Sequence, residues 1–152
     1  MKRLLATFIL VALAAATVSA TADELIMIRV SQPFPEAMNT LQKAIVDQGH
    51  TISRVQRVDV GLTAMGYETA EYRVVFFGHP DEMRELPARY PELVPYLPLK
   101  IVIFAERSES IVFALNPSQL GAFYADPPLK QKFAQWEKDV REIFDRVRAG
   151  SE

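Results

Sequence analysis

His50 and His79 are the only histidines in the chain, and they are the first place to look for chemistry. His50 follows Gly49 at a helix end, and His79 precedes Pro80 at a helix start. Their separation matches no standard metal-ligand spacing, and no third ligand is marked beside either. Turn residues explain both, so the sequence assigns no metal and no cofactor. Glu68, Glu71, Asp81 and Glu82 could supply a carboxylate pair, but exposed turns account for them equally well. With no cysteine there is no thiolate ligand, no disulfide and no cysteine nucleophile. Six glycines, scattered at turns, form no phosphate loop. The serine-hydrolase elbow, the zinc-protease helix and the dinucleotide fingerprint are all missing. What remains is a set of candidate ligand-binding residues: Tyr72 and Arg73 in a strand, His79 after it, Tyr96 in a proline-rich stretch, and Asn116 at a helix start. The catalytic residues are left unknown. The helix starts at Pro80–Glu82 and Asn116–Gln119 offer free N–H groups to an anion, with ordinary capping as the plainer account.

The elements that must position these groups follow from hydrophobic period and from proline and glycine placement. Leu25–Val30 is a short β-branched run ended by Pro33 and predicts a strand. Pro35 opens a helix at its first turn, and Phe34, Met38, Leu41 and Ile45 share one stripe that Gly49 closes. Thr51–Val60 carries Arg54, Arg57 and Asp59 and reads as an edge strand, followed by a turn-like stretch between Gly61 and Gly66. Glu71–Phe77 is a strong strand. Pro80 starts a short helix, with Asp81 and Glu82 suited to its dipole. Pro87, Pro91, Pro95 and Pro98 argue against a long one. Lys100–Ala105 and Ser110–Leu115 are strands joined by the polar link Glu106–Glu109. Asn116-Pro117 begins another helix, and Pro127-Pro128 interrupts again. Leu129, Phe133, Trp136, Val140, Ile143 and Val147 line the last and clearest helix, whose core-facing stripe claims Trp136 and Phe133.

The resulting order, β-α-β-β-α-β-β-α-α, predicts an α+β domain. Its antiparallel sheet has about five strands, with two main helices on one face. The second face is less ordinary. Val75 and Phe77, Ile101 and Ile103 against Val102 and Phe104, and Ile111 and Phe113 against Val112 and Ala114 make three strands apolar on both sides. A sheet with one wet face alternates more cleanly, so something should cover the other side. The candidates are the 87–98 segment with Tyr90, Leu93, Tyr96 and Leu97, a second copy of the chain, or a small apolar ligand.

The compartment is read from the other end. Met1-Lys2-Arg3 is basic, residues 4–18 are apolar or small apart from two threonines, and Ser19-Ala20-Thr21-Ala22 closes the run. This is the layout of a secretory signal peptide over 1–22, with cleavage expected after Ala20 or Ala22. A single domain over 23–152 is left, about 130 residues and enough for one core. The product is expected to be exported, periplasmic in a Gram-negative source, with no stable membrane anchor after cleavage. Seventeen Lys+Arg against nineteen Asp+Glu excludes a basic nucleic-acid binder on charge alone.

Several of these segments together resemble the bacterial domain of unknown function 302 family. They are the first strand with its Pro-opened helix ending at Gly49 and then Ile52, the strand Tyr72–Phe77, and the run Pro91-Glu-Leu-Val-Pro-Tyr-Leu-Pro-Leu-Lys-Ile-Val-Ile-Phe104. The strand ending in Asn116-Pro117 and the closing helix with Phe133 and Trp136 complete the likeness. Leu97-Pro98 leading into a strand, with Asn116-Pro117 after it, is the most specific part. Many members carry a Cys directly after that proline, where this chain has Leu99, so a thiol role there cannot apply. The resemblance implies a compact α+β domain that tends to dimerise, and it brings no activity. The expected function is therefore a non-enzymatic module, a homodimer or a binder of a small apolar ligand. An envelope protein-interaction or stress-related role is the alternative, and an enzyme with a non-standard site near Tyr72, Arg73, His79 and Asn116 ranks last.

Overall fold

The computed structural model describes residues 24–151. The expected signal peptide over 1–22, with its two candidate cleavage positions, lies outside the described residues. Five strands form one sheet in the order β1-β5-β4-β3-β2. They are β1 (Leu25–Val30), β2 (Thr51–Arg57), β3 (Tyr72–Gly78), β4 (Leu99–Glu106) and β5 (Glu109–Leu115), and every neighbouring pair is antiparallel. The α+β class, the five antiparallel strands and the two main helices are as the sequence indicates.

The helices α1 (Phe34–Asp47) and α4 (Pro127–Ala149) pack on each other and on one face of the sheet. Their stripes are the expected ones. Phe34, Ala37, Met38, Leu41, Ala44 and Ile45 are buried on α1, and Leu129, Phe133, Trp136, Val140, Ile143, Phe144 and Val147 on α4. They meet Ile26, Ile28, Val75, Ile101, Ile103 and Val112, which point to the same face because strand side chains alternate. Gly49 holds a φ of +87°, the left-handed region that lets a helix end and the chain turn straight into β2.

The short elements depart from the sequence reading. Val58–Ala64 is a seven-residue helix, α2, where a strand end and a turn were expected. Arg73 and Asp59 pair there and tie it to β3. The helix α3 (Pro80–Arg89) runs through Pro87. A proline so near a helix C-terminus forfeits a single N–H donor, and the helix still ends two residues later. Pro91–Tyr96 and Pro117–Ala122 are 3₁₀ helices. Asn116 caps the second of them, its side-chain oxygen accepting from the Ser118 N–H at 2.9 Å. The peptide between Leu97 and Pro98 is cis. β4 and β5 are joined by a tight turn at Arg107-Ser108, with Arg107 at φ 59°.

The two sheet edges differ. β2 carries a register shift between Ile52 and Arg54, and its outer side is exposed and charged. The β1 residues Leu25–Ile28 share a shallow cleft with Arg141, Phe144, Asp145 and Arg148 of α4. Among the described residues no helix is long and apolar enough to cross a membrane.

Candidate functional site

The sheet face away from α1 and α4 is open over much of its area. Met27, Phe113, Val102 and Val74 form one cross-strand row there, and Phe104 pairs with Tyr72 in the next. Toward the Asn116 end this face deepens into a groove of about 630 Å³. Its floor is Val74, Val102 and Phe113, and its walls are Tyr96, Leu120 and Phe123. Leu115 and Phe123 beside it are each 77% exposed. Leu99 borders the groove while its side chain is buried in the core on the helix-covered face. Glu24 and Lys100 supply charge at the lip. Concave, mostly apolar space of this size with few polar groups at its edge suits a small ligand.

The proline-rich segment therefore covers only part of the second face. Leu93 is fully buried in the core, Tyr90 and Leu97 pack against that core, and Tyr96 alone among these lines the groove. The Tyr90 hydroxyl donates to Asp126 at 3.1 Å, and the Tyr124 hydroxyl donates to the Glu92 carbonyl at 3.0 Å. These bonds tie the segment to the start of α4 and to the chain just before it.

The candidate binding residues divide into four places. Tyr96 and Asn116 come together at the groove. Asn116 is buried and engaged in its cap, and with Ser118 and Arg141 it holds the Glu137 carboxyl below the usual carboxylate range. Ser118 is the main cause of that shift. Tyr72 lies on the same face at the other end of its strand, opposite Phe104. Arg73 points to the helix-covered side, where it pairs with Asp59 and stacks over Phe34 at 5.3 Å from the ring centroid. That pairing holds the Asp59 carboxyl below its usual range. His79 is elsewhere again, at the end of β3 beside α3. The five residues thus do not form one pocket.

What the sequence did not indicate is where His79 goes. Its ring lies 4.3 Å, centroid to centroid, from that of His50. The His50 Nε2 is 3.4 Å from the Asp139 Oδ2 on α4, an ion-pair distance without hydrogen-bond geometry. One donor atom from each of His50, His79 and Asp139 falls within 4.8 Å of the others. His50 is 3% exposed, and neither ring nitrogen has a hydrogen-bond partner among the described residues. Burial lowers the His50 pKa and the neighbouring His79 lowers it further, against the opposing pull of Asp139 and Glu82. The net shift is downward and favours the neutral imidazole. Glu82 borders the cluster, accepting from the Trp136 Nε1 at 2.9 Å and from the Lys132 Nζ at 2.6 Å. Burial raises the Glu82 pKa, and these two donors together outweigh it, so the net shift is downward. Sequence spacing could not find the cluster, because Asp139 reads as one more charge on a charged helix and the two histidines arrive from different strand ends.

The model of the domain of unknown function DUF302 matches residues 26–147, from β1 to the last turns of α4. The chain belongs to the DUF302 family. A crystal structure of an uncharacterised conserved DUF302 protein from Bacillus stearothermophilus superposes with a TM-score of 0.75 at 22% identity. That superposition covers 84% of this chain and all of the other. The DUF302 fold is therefore shared across a wide divergence in sequence. No curated protein matches this DUF302 chain.

Proposed function

We propose that this DUF302 domain is an exported, non-enzymatic module that holds a small apolar ligand in the groove on the open sheet face. The observation that carries the reading is the groove itself, about 630 Å³ with an almost wholly apolar lining. Exposed apolar surface beside it, at Leu115 and Phe123, is what a ligand would draw out of water. The basic, apolar and small-residue order of the first 22 residues supports export.

The test is a titration of the full chain with N-phenyl-1-naphthylamine, a neutral fluorescent apolar probe. Saturable binding of one probe per chain is expected. Val102→Trp, which fills the groove floor, should weaken that binding on the order of tenfold, the worth of about 1.4 kcal/mol. Absence of saturable binding, or equal binding by the filled variant, overturns the reading. A second reading rests on exposed Leu25, Met27, Leu115 and Phe123, which would suit a second copy of the chain over the same face. Light scattering separates the two: a stable dimer that binds no probe favours the second.

A further inference from the structure

We propose that His50, His79 and Asp139 form a binding site for one divalent first-row transition-metal ion of the zinc class. The site lies at the sheet end beside α1, α3 and α4, on the helix-covered side and away from the groove. It goes beyond the ligand-binding reading, and either can fail without the other.

Three observations carry it. The first is the donor set. Two imidazoles and one carboxylate are the ligands that bind such ions while leaving a coordination position open. The second is geometry. His50 Nε2 and Asp139 Oδ2 are 3.4 Å apart. Two ligand atoms at about 2.05 Å from a tetrahedral ion stand about 3.3 Å from each other, so this pair is already spaced for coordination. The third donor lies within 4.8 Å of both, and His79 is the half-exposed member whose ring can rotate to close the gap. The third observation is an unmet need. Neither ring nitrogen of the buried His50 makes a hydrogen bond among the described residues, and Nε2 has only the Asp139 carboxylate at 3.4 Å. Buried polar atoms are nearly always satisfied, and each exception calls for an explanation. A cation would satisfy one of the nitrogens directly.

The surroundings support the ligands as a metal site needs. Asp139 is 6% exposed, and its Oδ1 accepts from the Gln135 Nε2 at 2.8 Å, which leaves Oδ2 turned to His50. An outer hydrogen bond of this kind fixes the orientation of a ligating carboxylate. The Phe77 ring meets His50 edge-on at a centroid distance of 5.2 Å and limits its movement. Gly49 lets the chain place His50 directly after α1. The rival account is a metal-free pairing of His50 with Asp139, and experiment separates the two.

The full chain, freed of purification tags and stripped with a chelator, is titrated with Zn²⁺ by calorimetry and with Co²⁺ by visible absorption. One ion per chain is expected, with Co²⁺ bands of four- or five-coordinate intensity. His79→Ala and Asp139→Asn should each weaken Zn²⁺ binding on the order of 100-fold. His79→Ala changes a half-exposed side chain, and circular dichroism checks that both variants fold. In the unaltered chain, long-range ¹H–¹⁵N spectra of the imidazoles should show Zn²⁺ shifting both histidines at one equivalent. No saturable binding of either ion overturns the proposal. So does binding that both variants retain at full strength, or imidazole signals that Zn²⁺ leaves unmoved.

Discussion

Arg73 sits in a strand paired on both sides, so its side chain must go to one face or the other. It goes to the helix side, where a charge needs a partner, and Asp59 on α2 provides one. Truncation as Arg73→Met should cost about 1.5–3 kcal/mol in urea unfolding, the usual worth of a hydrogen bond to a charged group. The same pair sets a pH dependence. The Asp59 pKa is lowered from its ordinary 3.8 by the Arg73 hydrogen bond. Its stabilising contribution is therefore full above pH 3.8 and is lost as pH falls through the lower, folded value. Unfolding curves of Asp59→Asn should be flatter than wild type below pH 3.8, and superimposable slopes there would refute the assignment. The sequence made Arg73 a candidate for a pocket because strand period alone does not say which face is covered. It could not reveal the partner, since Asp59 lies in a stretch whose glycines and charges read as a turn.

The element that positions most is the junction of α1 with β2. One glycine ends the helix and delivers His50 into the core in the next residue. Gly49→Ala would place a Cβ 3.4 Å from the His79 Cε1, ordinary contact, so the cost is in the backbone and not in crowding. A left-handed φ costs a side-chain-bearing residue about 1–2 kcal/mol, and thermal or urea unfolding should show that loss. The cap was legible, because a glycine after a clean apolar stripe is the usual stop. The two long helices were legible from their regular apolar stripes and the five strands from β-branched or charged runs between prolines and glycines, although β2 ends at Arg57 and not at the expected Val60. The short elements were not. α2 has no buried residue and no apolar period, so the tie between Asp59 and β3 helps to place it. α3 was marked at its start by Pro80 but its extent was obscured by Pro87, whose penalty falls where the helix is about to end anyway. The histidine and aspartate cluster depends on three elements meeting, and no local pattern records such a meeting.

Across the whole molecule the sheet has two apolar faces with different fates. One is sealed by α1 and α4, and the other is left partly open above the groove. The two should be unequal in energy. Ile103→Ala, on the sealed face and fully buried, should cost about 2–5 kcal/mol, since truncation there leaves a cavity. Val102→Thr, its neighbour on the half-buried face, should cost less than about 1 kcal/mol, because the new hydroxyl can reach solvent. Denaturant midpoints of the pair measure the asymmetry directly, and equal losses would mean the second face is sealed too. The unusual double-sided pattern of strands β3 to β5 was visible in the sequence, while the shape it leaves was not. The groove is made by the turn of the chain at Tyr96 and again at Leu120–Phe123, where prolines set the backbone and no periodic signal exists. The sheet edges have a consequence of another kind. An outermost strand offers unpaired backbone groups on which another chain can build. β2 discourages this with a bulge and with Arg54 and Arg57, whereas β1 is apolar at Leu25 and Met27 and relies on α4 to stand guard with Arg141, Asp145 and Arg148. The charges that border this second edge thus come from the last turns of a helix, far in sequence from the strand beside them.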